Sequence, residues 1–420
     1  MNAKLAAYAG LLSVNLIILA QADENDLRRQ FNTEFGLQLF ESSSIWEEQV
    51  KTVAGRLSWP IESQTSSDSS YRKYPNADEK ILGCRPFSLA LHGEDGKPSS
   101  LSLVFANKGD SVMYQGDTAD SRSKYERKKQ LRNYKRDIQQ DKENITNLLT
   151  KLFGDPKMDR FGAGGKTTEN VKRWDFSETT FLLAAPRDEY VNLRILPTTS
   201  ADAGGKSRIS DADIRLRVAA RVETRENGDI LLKDIPMINQ GPKGYCVPAT
   251  WARAMRYMGV PADMYVLAMA GQTEAGGGTS MNAIQSGAKQ AVIRFGRRVE
   301  SRQSKLDLIL VARYIDKGLP MIWAMYSTKE FNALLNKRQG LRTKMTDADE
   351  WVKTLNEDRR ERKKIRPASD ASHVCMIIGY NKKTKEVCIS DSWGPEFMER
   401  WATIDEAQSV SQGYFQIINF

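Results

Sequence analysis

The chain has 420 residues, 40% hydrophobic and 27% charged, more than one ordinary domain holds and enough apolar material for two cores. Its net charge of +9 comes from 62 Lys and Arg interspersed with 53 Asp and Glu, which gives a mildly basic surface and argues against a polyanion groove, so nucleic acid is not an expected partner. The four cysteines, Cys84, Cys246, Cys375 and Cys388, are too few and too scattered for a disulfide framework and point to reactivity before stapling.

At the N-terminus Lys4 precedes an apolar run from Leu5 to Ala20, and Ala20-Gln21-Ala22 leads into Asp23-Glu24-Asn25. This is the plan of a secretory signal, with cleavage expected after Ala22. The run is shorter than the roughly 20 residues of a spanning helix, and no second stretch of spanning length follows. The expectation is an exported protein, periplasmic or extracellular, with no stable membrane span once residues 1–22 are removed.

Ser44 then caps a segment in which Trp46, Val50, Val53 and Leu57 recur at helical spacing until Pro60, predicting one amphipathic helix. Arg85 to Leu91 and Ser99 to Phe105 alternate on either side of Gly93-Glu94-Asp95-Gly96, the composition of a hairpin. A long charged helix is expected from about Ser123, with Ile138, Ile145, Leu148, Leu149 and Leu152 on its apolar face and Gly154 at its end. A second hairpin, Thr179 to Ala185 and Tyr190 to Leu196, flanks Pro186-Arg187-Asp188. Helix, hairpin, helix, hairpin predicts one antiparallel sheet under two helices, a self-sufficient α+β domain of unknown role over residues 23–200. Residues 201–229 read as a linker, Thr198 to Arg208, followed by a short helix capped by Ser210.

From residue 230 to 420 the order is strand, glycine-containing loop, helices, then strands from Pro320, an α+β pattern. Lys329 to Arg366, dense in Lys, Arg, Asp and Glu, reads as a solvated helical insertion. Three strings carry chemistry: Asn239-Gln240-Gly241-Pro242-Lys243-Gly244-Tyr245-Cys246-Val247-Pro248-Ala249-Thr250, Ser372-His373-Val374-Cys375, and Ser390-Asp391-Ser392-Trp393-Gly394. Pro248 belongs in a first helical turn, which puts Cys246 at a helix N-terminus, where thiolate is favoured. A hairpin running from Val374 through Asn381 to Lys385 and back to Ser390 would bring His373 opposite Asp391, giving the imidazole an orienting acceptor. Gln240, just upstream of the thiol, can aim its amide at a carbonyl oxygen under attack.

These residues resemble the papain-like cysteine peptidase superfamily, particularly the bacterial branch similar to the double-glycine leader peptidases, which shares the order Gln, Cys, His, Asp or Asn. The resemblance covers residues 230 to 420. It implies a papain-like fold of a helical part plus an antiparallel sheet, preceded by the separate α+β domain. It also implies acyl transfer from a peptide or protein substrate, with Cys246 as nucleophile, His373 as base, Asp391 as orienter and Gln240 in the oxyanion hole. Asp391-Ser392-Trp393-Gly394 looks like that family's Asn-Ser-Trp-Gly string, which lends Trp393 the role of covering the polar pair. Val247 stands where plant-type members have Trp, and the charged insertion is unusual, so substrate preference is left open. Two rival readings are a papain-fold amidase or transglutaminase-like acyltransferase, and a non-catalytic binding module with a vestigial site.

The remaining features have bland readings. Cys375 and Cys388 sit in apolar strands as inert hydrophobes, on opposite faces of the hairpin and so unbridged. His92, beside a turn, is expected as an exposed bystander. Gly162-Ala163-Gly164-Gly165-Lys166-Thr167 lacks the glycine and the preceding strand of a phosphate loop. Gly276-Gly277-Gly278 reads as a flexible lead into a helix from Met281 to Phe295, capped by Thr279 or Ser280. With two histidines in the chain, no metal-ligand spacing stands out, and the mechanism calls for no cofactor.

Overall fold

The computed structural model describes residues 26–41, 44–112, 121–206, 208–242 and 244–420. The expected signal, residues 1–22, lies outside them. The architecture is α+β, built on two antiparallel sheets.

In the N-terminal half, helix α1 spans residues 26–35, and the predicted helix after Ser44 divides in two. Ser44 does cap, but it caps a 3-10 turn at Ile45–Glu47, and α2 runs separately from Val50–Leu57. Trp46, Val50, Val53 and Leu57 are all buried, so the apolar spacing reported the face correctly and the continuity wrongly. Strands β1 (Ile61–Gln64), β2 (Asp68–Lys73), β3 (Ser88–Glu94) and β4 (Lys97–Asn107) follow, then α3 (Ser121–Phe153). After it come β5 (Lys157–Gly162), β6 (Thr168–Phe176), β7 (Thr179–Ala184) and β8 (Tyr190–Pro197). The sheet order is β1-β2-β3-β4-β8-β7-β6-β5. The β3–β4 hairpin turns on Asp95 and Gly96, both with positive φ, as a two-residue turn of primed type requires. Four strands were missing from the sequence reading. Segments such as Asp68–Lys73 and Thr168–Phe176 are polar on one face and carry no long apolar run.

The two faces of this sheet serve different cores. Phe181 and Leu183 pack with α1, α2 and α3, whereas their neighbours Leu182 and Ala184 join the core of the C-terminal half. The sheet is therefore covered on both sides, and the second cover is the C-terminal half, not solvent. Residues expected as linker are also built in. Helix α4 (Thr198–Asp202) buries Ala201, and α5 (Asp211–Ala220), capped by the Ser210 side chain, buries Ile214 and Val218 in that same core.

The C-terminal sheet begins with β9 (Val222–Thr224) and β10 (Asp229–Leu232). Helices α6 (Cys246–Tyr257), α7 (Met264–Ala270) and α8 (Met281–Arg294) come next, then β11 (Arg298–Gln303), α9 (Leu308–Ile315) and β12 (Met321–Tyr326). The charged segment forms α10 (Lys329–Arg342), α11 (Ala348–Glu357) and α12 (Arg359–Arg362). The chain closes with β13 (Ser372–Asn381), β14 (Glu386–Ser390), β15 (Arg400–Thr403), α13 (Ile404–Val410) and β16 (Ser411–Asn419). The main path is β11-β16-β12-β13-β10-β9, with β14 on the other edge of β13 and β15 beside β14. Helix α6, whose Ala249, Trp251, Ala252 and Met255 are buried, lies in the middle of this core. Among the described residues, no helix is long and apolar enough to cross a membrane.

Candidate active site

Cys246 is the first residue of α6, so its sulfur stands at the positive end of a helix. Pro248 occupies the first turn, where its missing N–H has no intrahelical acceptor to lose. The residue is half-buried, and burial alone would push a thiol up. The hydrogen bond and charge of His373 outweigh it, helped by the N–H groups of Val374 and Val247, and hold the thiol below its ordinary value.

His373 is the second residue of β13, paired with Met325 of β12. Its Nε2 lies 2.8 Å from Asp391 Oδ1, which leaves Nδ1 for the thiol. Burial opposes the charged imidazole, but the bonds to Asp391 and Cys246 prevail and push it up to about 9. The two shifts run in the same sense, since each partner favours the charged form of the other: the imidazole is raised and the thiol lowered. The hairpin that carries it forms as expected, with one correction. Met376 faces Ser390, and a bulge lies between Ile377 and Gly379, so Asp391 lies past the end of β14 and reaches His373 diagonally instead of from directly opposite. In that register Cys375 shares a face with Ile389 while Cys388 shares one with Ser390, and both are buried free thiols. Trp393 covers the imidazole at 4.9 Å between ring centroids.

Asp391 is buried, which would raise a carboxyl, yet His373 and Arg400 hold it below the ordinary value. Arg400 of β15 donates to Asp391 Oδ2 and is itself fixed by Asn332 and Asn336 of α10, at 3.1 and 3.0 Å. Here the sequence reading of the charged segment needs correcting. It is helical, but α10 is not a solvated insertion. Phe331, Leu334 and Leu335 are buried, Arg338 binds Glu406 and Asp358, and Arg342 binds Asp229 and Glu386. Arg338 and Arg342 thus form buried pairs that clamp the segment to the rest of the fold, while Lys329, Glu330, Asp349 and Glu350 are exposed as expected. The spacing of Asn332 with Asn336, and of Arg338 with Arg342, at i and i+4 is the signal that could have exposed this.

The nucleophile helix is tied to the acid and base by its own side chains. Thr250, one turn beyond Cys246, donates to Val374 O at 3.1 Å. Arg253, fully buried, donates to Pro236 O at 2.9 Å, to Ser390 O at 3.3 Å, and to the hydroxyls of Ser390 and Ser392 at 2.5 and 3.2 Å. Thr250 closes the string singled out in the sequence but had been given no role there, and Arg253 had attracted no attention, because a lone Arg in a helix carries no sign of burial.

Gln240 is joined to the same string, since its N–H donates to Ser392 O at 2.7 Å and Asn239 Nδ2 donates to Trp393 O at 3.3 Å. Its side-chain Oε1 is buried without a hydrogen-bond partner. Between Gln240 and the thiol, Gly244 meets Gly277 backbone to backbone. A Cβ on Gly244 would stand 2.2 Å from Gly277 Cα, and Gly278 N–H donates to Gly244 O at 3.1 Å. The triple glycine is thus a close-approach surface and not a flexible lead. Ser280 takes the N-cap position of α8 but makes no side-chain cap bond.

The structure so brings Cys246, His373 and Asp391 into one hydrogen-bonded chain and binds Gln240 to the residue after the acid. His92 is elsewhere and is not an exposed bystander. It is half-buried in a cavity of about 380 Å³ shared with Ser100, Arg194, Arg256 and Asp263, where burial together with Arg256 and Arg72 drives its imidazole well below the ordinary value. The glycines from 162 to 165 form the turn from β5 into β6, with a 3-10 step at Gly165–Thr167, so a strand does precede them, contrary to the sequence reading, but another strand and not a helix follows.

A thiol at a helix N-terminus, facing a histidine and an acid carried by an antiparallel sheet, defines the C-terminal half as papain-like. Residues 232–419 match the model of the Peptidase_C39 like family, so this half of the chain is similar to that family. Among solved structures, the peptidase domain of Streptococcus ComA, a bifunctional ABC transporter involved in quorum sensing, is similar at 14% identity and a TM-score of 0.29, over 44% of this chain and 98% of that one. No curated protein matches the chain.

Proposed function

We propose that the protein is an exported cysteine peptidase that hydrolyses peptide bonds through a thioester acyl-enzyme. The observation that carries this reading is the continuous contact from Cys246 through His373 to Asp391, at the start of α6 and with a matching family model over the same residues.

In this reading the Cys246 thiolate attacks the carbonyl carbon, and the electron pair moves onto the oxygen, where the Gln240 amide and backbone N–H groups stabilise it. The tetrahedral species collapses with rupture of the C–N bond while the His373 imidazolium gives its proton to the leaving amine. His373, now neutral, takes a proton from water, hydroxide attacks the thioester, and the C–S bond breaks to return the thiolate. Asp391 holds the ring and stabilises its cation, and Trp393 shields the pair from water. Export rests on the leader sequence of residues 1–22, with Lys4, the apolar run and Ala20-Gln21-Ala22.

The test is to incubate the full chain and its Cys246→Ala form with a peptide library and read new termini by mass spectrometry, with and without an added amine. Cleavage products seen only with Cys246 support a peptidase. Products that appear only when the amine is present, and carry it, would instead reveal an acyltransferase.

A further inference from the structure

Asn239, which precedes Gln240, and Tyr245, which precedes Cys246, are both gripped by the N-terminal half. The Asn239 N–H donates to Glu62 Oε1 at 2.7 Å and Asn239 O accepts from the Tyr74 hydroxyl at 2.6 Å. Glu62 is itself held by Arg72 and Ser70, at 2.6 and 2.9 Å. Tyr245 is the residue before the nucleophile and the N-cap of α6. Its hydroxyl accepts from Gly109 N–H at 2.9 Å and donates to Asn107 Oδ1 at 2.8 Å. Its ring meets Tyr265 edge-on at 5.3 Å. A Cβ on Gly109 would stand 2.3 Å from Tyr245 Cζ, so the ring occupies space that only glycine leaves open.

We propose that the N-terminal half is a positioning element for this site: Asn107 and Gly109 seat Tyr245 and so fix where Cys246 stands, while Glu62 and Tyr74 fix Gln240 through Asn239. Contacts whose purpose was only to join two halves would have no reason to converge on the residues flanking a nucleophile and its oxyanion donor. These contacts fall on the residues that flank the site, Asn239 and Tyr245, and not on Cys246 itself. A hydroxyl bonded on both sides, in a buried place with no room to shift, transmits position through the single backbone step from Tyr245 to Cys246.

The inference rests on Cys246 being an activated nucleophile, and its test is chosen to separate the two. In the full chain, the rate of iodoacetamide alkylation of Cys246 is followed against pH for wild type, Tyr245→Phe, Gly109→Ala and Ser66→Ala. Ser66 bonds Asp234 across the same pair of halves at an exposed place, 2.7 Å apart, and serves as control. Tyr245→Phe and Gly109→Ala are expected to lower the rate at pH 6 by about tenfold or more and to move the profile toward higher pH, with circular dichroism unchanged. Ser66→Ala should match wild type. If Gly109→Ala does not fold, Tyr245→Phe decides alone, because it keeps the ring and loses only the hydroxyl. Folded variants with the wild-type rate and profile would overturn the proposal and leave the peptidase reading standing. Slow alkylation of wild type, unchanged by loss of His373, would bring down both.

Discussion

Arg400 donates to Asp391 on the oxygen that His373 leaves free, and both partners are buried. The acid of the site is thus an anion between two cations. Where Asn, neutral, would need no such partner, Asp needs one, and β15 with α10 supplies it. Arg400→Gln leaves a buried carboxylate short of its charge partner and is expected to cost about 3–5 kcal/mol in urea denaturation. A variant as stable as wild type would mean the pair carries no structural burden.

The alkaline side separates two uses of the same histidine. Peptide cleavage needs the imidazolium to protonate the leaving amine, and that cation is lost as pH rises through about 9. Turnover should therefore fall there, while alkylation of Cys246, which needs only thiolate, should not. Parallel decline of both rates would show that the proton is not delivered by His373.

Stability should carry the signs of both shifts. His373 is raised in the fold, so its contribution is fully present below its unfolded value of about 6.5 and is lost as pH climbs toward about 9. Asp391 is depressed, so its contribution is present above about 3.9 and is lost as pH falls through its lower folded value. The difference in urea midpoint between wild type and His373→Ala should shrink from pH 6 to pH 9.5. A difference that grew over that range would reverse the assigned sign.

Gln240→Ala should lower turnover by about a hundred- to a thousandfold with little change in KM, the signature of an interaction made in the transition state. Cys246→Ala should abolish turnover. Steady-state kinetics on a cleaved peptide read both, and a Gln240→Ala enzyme altered only in KM would move Gln240 from the oxyanion hole to ground-state binding.

The residues proposed to react were legible because chemistry constrains their types: Cys246 before Pro248, His373 opening an apolar strand, and Asp391-Ser392-Trp393-Gly394. Their supports were not, because burial of a charge depends on partners far away in sequence. Arg253, Arg338, Arg342 and Arg400 are fully or nearly fully buried, yet each is an ordinary surface residue by composition. The helical segment 329–362 was foreseen as helix from its pattern, and its role as a brace for Arg400 was hidden in Asn332 and Asn336. In the N-terminal half the apolar hairpins at β3–β4 and β7–β8 announced themselves. The polar strands β1, β2, β5 and β6 did not, since their ladders are made by backbone groups that the side chains do not betray.

The most direct measurement is the rate of iodoacetamide labelling of each cysteine at pH 6, in wild type and in His373→Ala. Burial pushes the Cys84 thiol up to about 12 and raises Cys375 and Cys388 well above the ordinary value, so they serve as internal references. Fast labelling confined to Cys246 and lost in His373→Ala is the predicted result. Labelling of Cys246 as slow as that of Cys84, in both proteins, would contradict an activated thiolate and leave the C-terminal half a papain-like fold without papain-like chemistry.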